Sequence, residues 1–208
     1  EIEIGDYFNF HNHSIYSSLQ ASSNIQELIN KALENNFSAV GLVDLGNMMG
    51  AFKFVSEVEK ANGNIKKKYQ EFLDKKQKAE EEGTEFEEIE PRKKELIPII
   101  GCEFYISDRP EKKQFTKDDP DRRTHIVLLA KNMKGYKNLT KLSSIGYVNG
   151  FYFGVPRISK EMISEYKEDL IALTAGTLGD IPSTILEFGE QKGEEVFKWW
   201  KESFQDDF

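Results

Sequence analysis

The chain has one cysteine, Cys102, and three histidines in 208 residues. A single thiol excludes a disulfide framework and fits a reducing compartment. No apolar run approaches the roughly 20 residues that a membrane-spanning helix needs. The first residues are acidic and lack the apolar stretch of a secretory signal. Positive charge is in deficit: 28 Lys and Arg against 36 Asp and Glu leave a net charge of −8. That balance disfavours direct wrapping of a phosphate backbone by this segment. No strand-like run leads into Gly-x-Gly-x-x-Gly or a phosphate loop, so a nucleotide-binding reading has no support. These absences set the expectation of a soluble, cytoplasmic protein. The length suits one domain, whole or cut from a longer chain, and 38% hydrophobic residues supply a core.

What is present is an alternation of short apolar runs with amphipathic stretches. The runs lie near His11, Val40, Ile99, Val127 and Ile171. Between them, Asn24 or Ser23 caps an apolar-faced stretch from Ile25 to Leu33, and Val196, Phe197, Trp200 and Phe204 make a stripe near the end. The pattern predicts an α/β fold with a parallel sheet, barrel-like, with polar residues gathered at strand ends. A helix is expected from Ala51 to about Lys60. Residues 62–95 read as a charged, partly helical excursion whose lysines have local acidic partners.

The polar residues at strand edges are His11, His13, Asp44, Glu103 and His125, which include every histidine of the chain. On a strand, His11 and His13 share one face and Phe8 and Phe10 the other. Imidazoles with hard carboxylates suit a divalent metal such as zinc, iron or manganese. Metals bridged by carboxylates would support phosphoester hydrolysis. The competing readings are a loop cap for Asp44 and a buried ion pair between Glu103 and Arg122 or Arg123. His125 precedes its apolar run, the wrong end for a parallel barrel.

Several stretches taken together resemble one family. Phe10-His11-Asn12-His13-Ser14, Val43-Asp44-Leu45-Gly46-Asn47-Met48 and Ile99-Ile100-Gly101-Cys102-Glu103-Phe104-Tyr105 are similar to motifs of the polymerase-and-histidinol-phosphatase (PHP) domain. The stretch from His125 to Leu139, and Gly150-Phe151-Tyr152 followed by Pro156-Arg157-Ile158, resemble its branch at the N-terminus of bacterial DNA polymerase III alpha subunits. The resemblance implies a distorted seven-stranded β/α (TIM-like) barrel, here truncated at its C-terminal end. It covers residues 1–208 except the insertion at about 62–95. It also implies a metal cluster at one mouth, to which His11, His13, Glu103 and His125 correspond. Three positions depart: Gln20 replaces an acidic residue, Leu45 a histidine and Gly176 a cysteine or histidine. Asp44 matches the neighbour of the lost ligand. The expectation is therefore a degenerate site with no catalytic residue and no required cofactor, holding at most one residual ion of zinc, manganese or iron. The implied role is a structural one in a DNA-directed DNA polymerase. The implied partners are the rest of the polymerase chain and a proofreading exonuclease subunit, with DNA reached only through the full-length protein and no membrane. The alternatives are a metal-dependent phosphoesterase or 3′–5′ exonuclease, and a free-standing α/β binding protein.

Overall fold

The computed structural model describes residues 7–208, arranged as six α-helices and a five-stranded sheet. The first helix, α1 (Ile25–Glu34), starts where the sequence signals it. Asn24 accepts from the Gln26 amide, and Glu27 reaches back to the Asn24 amide in a capping box. Its outward positions are Gln26, Glu27, Asn30, Lys31 and Glu34, while Ile25, Ile29 and Ala32 are buried. β1 (Ala39–Leu45) follows, buried along six of its seven residues.

α2 (Ala51–Glu82) is a single helix of 32 residues, roughly 48 Å long at 1.5 Å per residue. The expected stop near Lys60 does not occur. Lys, Glu, Gln and Ala dominate the later turns and are strong helix formers. The pairs Lys67–Glu71 and Lys78–Glu82 lie four residues apart along it. Asn62 does not break the helix because its side chain has tertiary partners, donating to the Leu96 carbonyl and accepting from the Leu96 amide. The helix ends at Gly83, which takes a left-handed conformation. The returning segment packs Phe86 edge-on against Phe72.

β2 (Ile97–Ile106) is the central strand. It pairs with β1 in parallel and with β3 (Thr124–Ala130) antiparallel. After α3 (Met133–Val148) comes the two-residue β4 (Arg157–Ile158), which joins β2 at Tyr105 and Ile106, beyond the last partner of β1. α4 (Lys160–Tyr166), capped by Ser159, leads to β5 (Leu170–Leu173), which is antiparallel to β3. α5 (Asp180–Phe188) and α6 (Glu190–Phe204) close the chain.

The sheet is thus mixed, with order β1-β2-β3-β5, not parallel as the alternation pattern suggests. The reason lies in the β2–β3 connection. Residues 107–123 contain no helix, and a parallel return needs a crossover element, usually a helix. The opening segment also differs from expectation. Residues 7–14 form no strand, although the Gly41 and Val43 amides donate to the Asn9 and Asn12 carbonyls. Asn9 and Asn12 spend their side chains on nearby backbone: Asn12 Nδ2 donates to the carbonyls of Asn9 and Gly41, and Asn9 Oδ1 accepts from the His11 amide. Such local bonds compete with a regular ladder.

Side-chain alternation divides the sheet into two faces. One is covered by helices: Val40 and Leu42 pack with Ile25, Ile29, Phe54 and Val58, while Phe104, Leu128 and Ile158 pack with Leu139, Leu142 and Trp200. On the other face Val43, Ile99, Val127, Leu129 and Leu173 pack with Phe10. Gly41 lies on this second face, and a Cβ there would stand 2.3 Å from the Phe10 backbone. The absent side chain is what lets the opening segment lie on β1.

Candidate metal and polar site

The second face is apolar along most of its length and polar at one end. Register places Leu45 opposite Glu103, Glu103 opposite Val127, and Tyr105 opposite His125. Because β3 runs antiparallel to β2, its first residues lie at the C-terminal end of β1 and β2. The position of His125 before its apolar run therefore brings it to the site. His125 Nδ1 lies 2.6 Å from Glu103 Oε1, while His11 Nε2 and His13 Nε2 lie 2.8 and 2.7 Å from Oε2. Tyr105 packs edge-on against the His125 ring.

The four residues His11, His13, Glu103 and His125 thus converge. Three elements supply them: the opening segment, β2 and β3. Glu103 is nearly inaccessible to water. Burial opposes its charge, yet the hydrogen bonds to His11, His125 and His13 outweigh it and hold the carboxyl far below its usual range. Arg122 and Arg123 are not its partners; they pair with Glu187 and Asp121.

Asp44 is separate from this group. One residue before Leu45, it points to the other side of β1. Its carboxylate accepts from the Ser14 amide at 2.6 Å, from Ser14 Oγ and from Ser17 Oγ. Ser17 Oγ in turn accepts from the Leu45 amide. All three side chains are buried. Asp44 therefore anchors the loop immediately after His13. Its loop-capping reading holds, while the roles of Ser14, Ser17 and Asn12 carry no signal in residue type alone. The place of Tyr105 does carry one, since a residue two beyond Glu103 falls on the same strand face.

The ligand atoms of His11, His13 and Glu103 lie within 4.8 Å of one another. Two imidazoles and one carboxylate are a donor set suited to a single divalent transition-metal ion. The three departing positions ring the same place. Leu45 stands beside Glu103 in the ladder; Gln20 lines a concavity with His11 and His13; Gly176 lines a groove with His11. The leucine side chain has no lone pair and glycine has no side chain, so Leu45 and Gly176 add no side-chain donor there, while Gln20 offers a neutral amide oxygen in place of a carboxylate.

Comparison with known proteins bears on this arrangement. The model of the PHP domain matches residues 9–208. The chain belongs to the PHP-domain family. It is 35% identical over 205 residues to the DNA polymerase III subunit alpha of Borreliella burgdorferi, a match that covers 97% of this chain and 15% of that protein. Its identity to the Chlamydia trachomatis subunit is 34% over 200 residues, covering 95% and 13%. For the Aquifex aeolicus subunit it is 35% over 208 residues, covering 97% and 15%. The PHP domain described here therefore spans about one-seventh of the length of the curated relatives it matches. No helix among the described residues is long and apolar enough to cross a membrane.

Proposed function

We propose that residues 1–208 are the N-terminal PHP domain of a replicative DNA polymerase alpha subunit. In this reading the domain supports the polymerase core and docks a proofreading exonuclease subunit, in the cytoplasm, and DNA is engaged by the full-length protein. The likeness to alpha subunits along 95–97% of the chain supports it. In the full-length protein, chain beyond residue 208 supplies the further strands of a seven-stranded barrel. A groove between the opening segment and β5, lined by Phe10, His11, residues 172–176, Phe197, Lys201 and Phe208, supports this reading.

The observation that carries the non-catalytic reading is the donor inventory around Glu103. With Leu45, Gln20 and Gly176 at the ligand positions, the site holds at most one ion of zinc, manganese or iron, on His11, His13 and Glu103, with His125 on the other carboxylate oxygen. When bound, such an ion polarises a phosphoryl oxygen and acidifies water. The chain's own residues keep the imidazoles oriented through Glu103 and the loop fixed through Asp44. The convergence of all three histidines on one buried carboxylate favours the alternative of a phosphoesterase or 3′–5′ exonuclease. Metal titration followed by elemental analysis separates the two. One ion or fewer per chain, with no hydrolysis of phosphate esters or DNA 3′ ends, is expected. Two or more tightly held ions with such hydrolysis would overturn the scaffold reading.

A further inference from the structure

Asp180 opens α5 and is 3% exposed. An acid in a first helical turn gains from the helix dipole without being buried. This one also collects donors from three other elements. Thr124 Oγ1 of β3 donates to its Oδ1 at 2.8 Å, while Trp200 Nε1 of α6 and Lys160 Nζ at the start of α4 lie 2.9 and 2.6 Å from Oδ2. Thr124 and Trp200 are as deeply buried. Stability alone does not account for such a group, because replacing a buried ion pair with apolar side chains of similar volume is often neutral or stabilising. Its place beside the sheet offers a reason. β5 supports β3 only from Val127 to Ala130. Nearer its start, β3 is met on that side by Gly179, which forms a single parallel bridge with His125. Gly179 sits tightly there, since a Cβ would stand 1.7 Å from the Thr174 carbonyl oxygen. Thr124 and Asp180 flank the bridge, one residue before His125 and one after Gly179, so their hydrogen bond pins it.

We propose that Asp180 is a positioning residue for the polar site, acting through Thr124 on His125. The inference rests on the reading of that site as able to hold one ion. Side chains alternate along β3, so Thr124 points to the helix-covered face and His125 to the other. Asp180 therefore lies behind the sheet from Glu103, and its reach into the site is through the backbone of β3. What it sets is the path of that backbone at His125. His125 Nδ1 engages Glu103 Oε1 at 2.6 Å, which leaves Oε2 turned to His11 and His13. His11, His13 and Glu103 are the residues whose ligand atoms gather within 4.8 Å. If the start of β3 lifts, the Glu103 carboxylate loses the partner that fixes its rotation, and Oε2 is no longer held for an ion. Loss of a group that orients a metal ligand in this way typically changes affinity by about 10–100-fold. Lys160 balances the charge of Asp180, so the device adds no unpaired charge behind the sheet.

The test uses the full-length protein with Thr124→Val as the main variant, because Asp180→Asn would also leave the Lys160 charge unpaired. Thr124→Ser keeps the hydroxyl. Trp200→Phe removes a different donor from the same carboxylate and serves as the destabilised control. Zinc affinity is measured by competition with a chelating dye, with His11→Ala as the blank for zinc taken up elsewhere in the chain. His125 is followed separately, without metal, by diethyl pyrocarbonate labelling at one fixed pH and peptide mass spectrometry. In Thr124→Val, zinc affinity is expected to fall at least about tenfold and His125 to label several times faster than in the unchanged protein. Thr124→Ser should restore both, and Trp200→Phe should lower Tm while leaving both near their original values. Unchanged labelling of His125 in Thr124→Val overturns the proposal, as does an equal response of both readouts in Trp200→Phe. Faster labelling with unchanged zinc affinity confines Asp180 to the packing of β3 and overturns it too. Zinc uptake no greater than that of the blank would count against the one-ion reading instead, and the labelling rates then decide the proposal.

Discussion

Replacing Asp44 with alanine tests whether the site depends on a buried anchor beside it. Asp44 is 2% exposed, and its neighbours Ser14 and Ser17 are equally buried, so the donors that face the carboxylate have no contact with bulk solvent. The change strands the Ser14 amide and the hydroxyls of Ser14 and Ser17. A buried donor left unsatisfied costs about 1–3 kcal/mol. Partial relaxation of the two hydroxyls makes about 3–4 kcal/mol a reasonable total, in line with removal of one partner from a buried charged network. For a domain of this size each kcal/mol moves Tm by about 2–4 °C, so a fall of roughly 6–16 °C is expected. Urea unfolding gives the free energy directly. Ser17→Ala alone should cost about 1 kcal/mol. In the Asp44→Ala background it should cost less, because its acceptor is already gone and only the Leu45 amide still depends on it. Additive effects, or a loss below about 1 kcal/mol for Asp44→Ala, would refute the view of Asp44 as a shared acceptor.

Other outcomes follow from neighbouring features. Gly41→Ala places a methyl group against the Phe10 backbone and should cost about 1–3 kcal/mol by overpacking; if the opening segment shifts as argued, the imidazole resonances of His11 and His13 move in NMR spectra while that of His125 moves less. The Glu103 carboxyl titrates below its unfolded-state value, so its contribution is complete above about pH 5 and is lost as pH falls further. Glu103→Gln should therefore flatten the acid side of the stability profile, and an unchanged profile would show that the histidines do not hold the charge. Burial, followed by the charge of Asp44, pushes the Cys102 thiol well above its ordinary range. It should resist a thiol reagent at pH 8 in the folded protein and react promptly in denaturant; prompt reaction without denaturant would contradict the packing of β2.

Much of the local structure was legible in residue order. The capping residue of α1, the apolar run of β1, the extended stretch of β2 and the stripe of α6 each follow from periodicities and caps that act over a few residues. The expectation failed where a distant group or a competing local bond decided the outcome. The helix expected to end near Lys60 runs on to Glu82, where Leu96 satisfies the Asn62 side chain. The opening stretch alternates like a strand, but Asn9 and Asn12 bind backbone locally. Phe197, placed in the stripe of α6, remains half-exposed while Trp200 is fully buried beneath it.

The candidate site divides in the same way. Residue types gathered His11, His13, Asp44, Glu103 and His125 at strand edges, and the resemblance to family motifs singled out His11, His13, Glu103 and His125 and marked Leu45 and Gly176 as positions without a donating side chain, because the capacity to donate a lone pair is a property of each side chain alone. Only the tertiary structure decided that β3 runs antiparallel, which brings His125 to Glu103, and that Asp44 turns away from them to anchor Ser14 and Ser17. Strand direction depends on the path of the chain through residues 107–123, and the face on which a side chain lies depends on pairing register. Both are set by contacts between residues far apart in the chain, which no local pattern encodes.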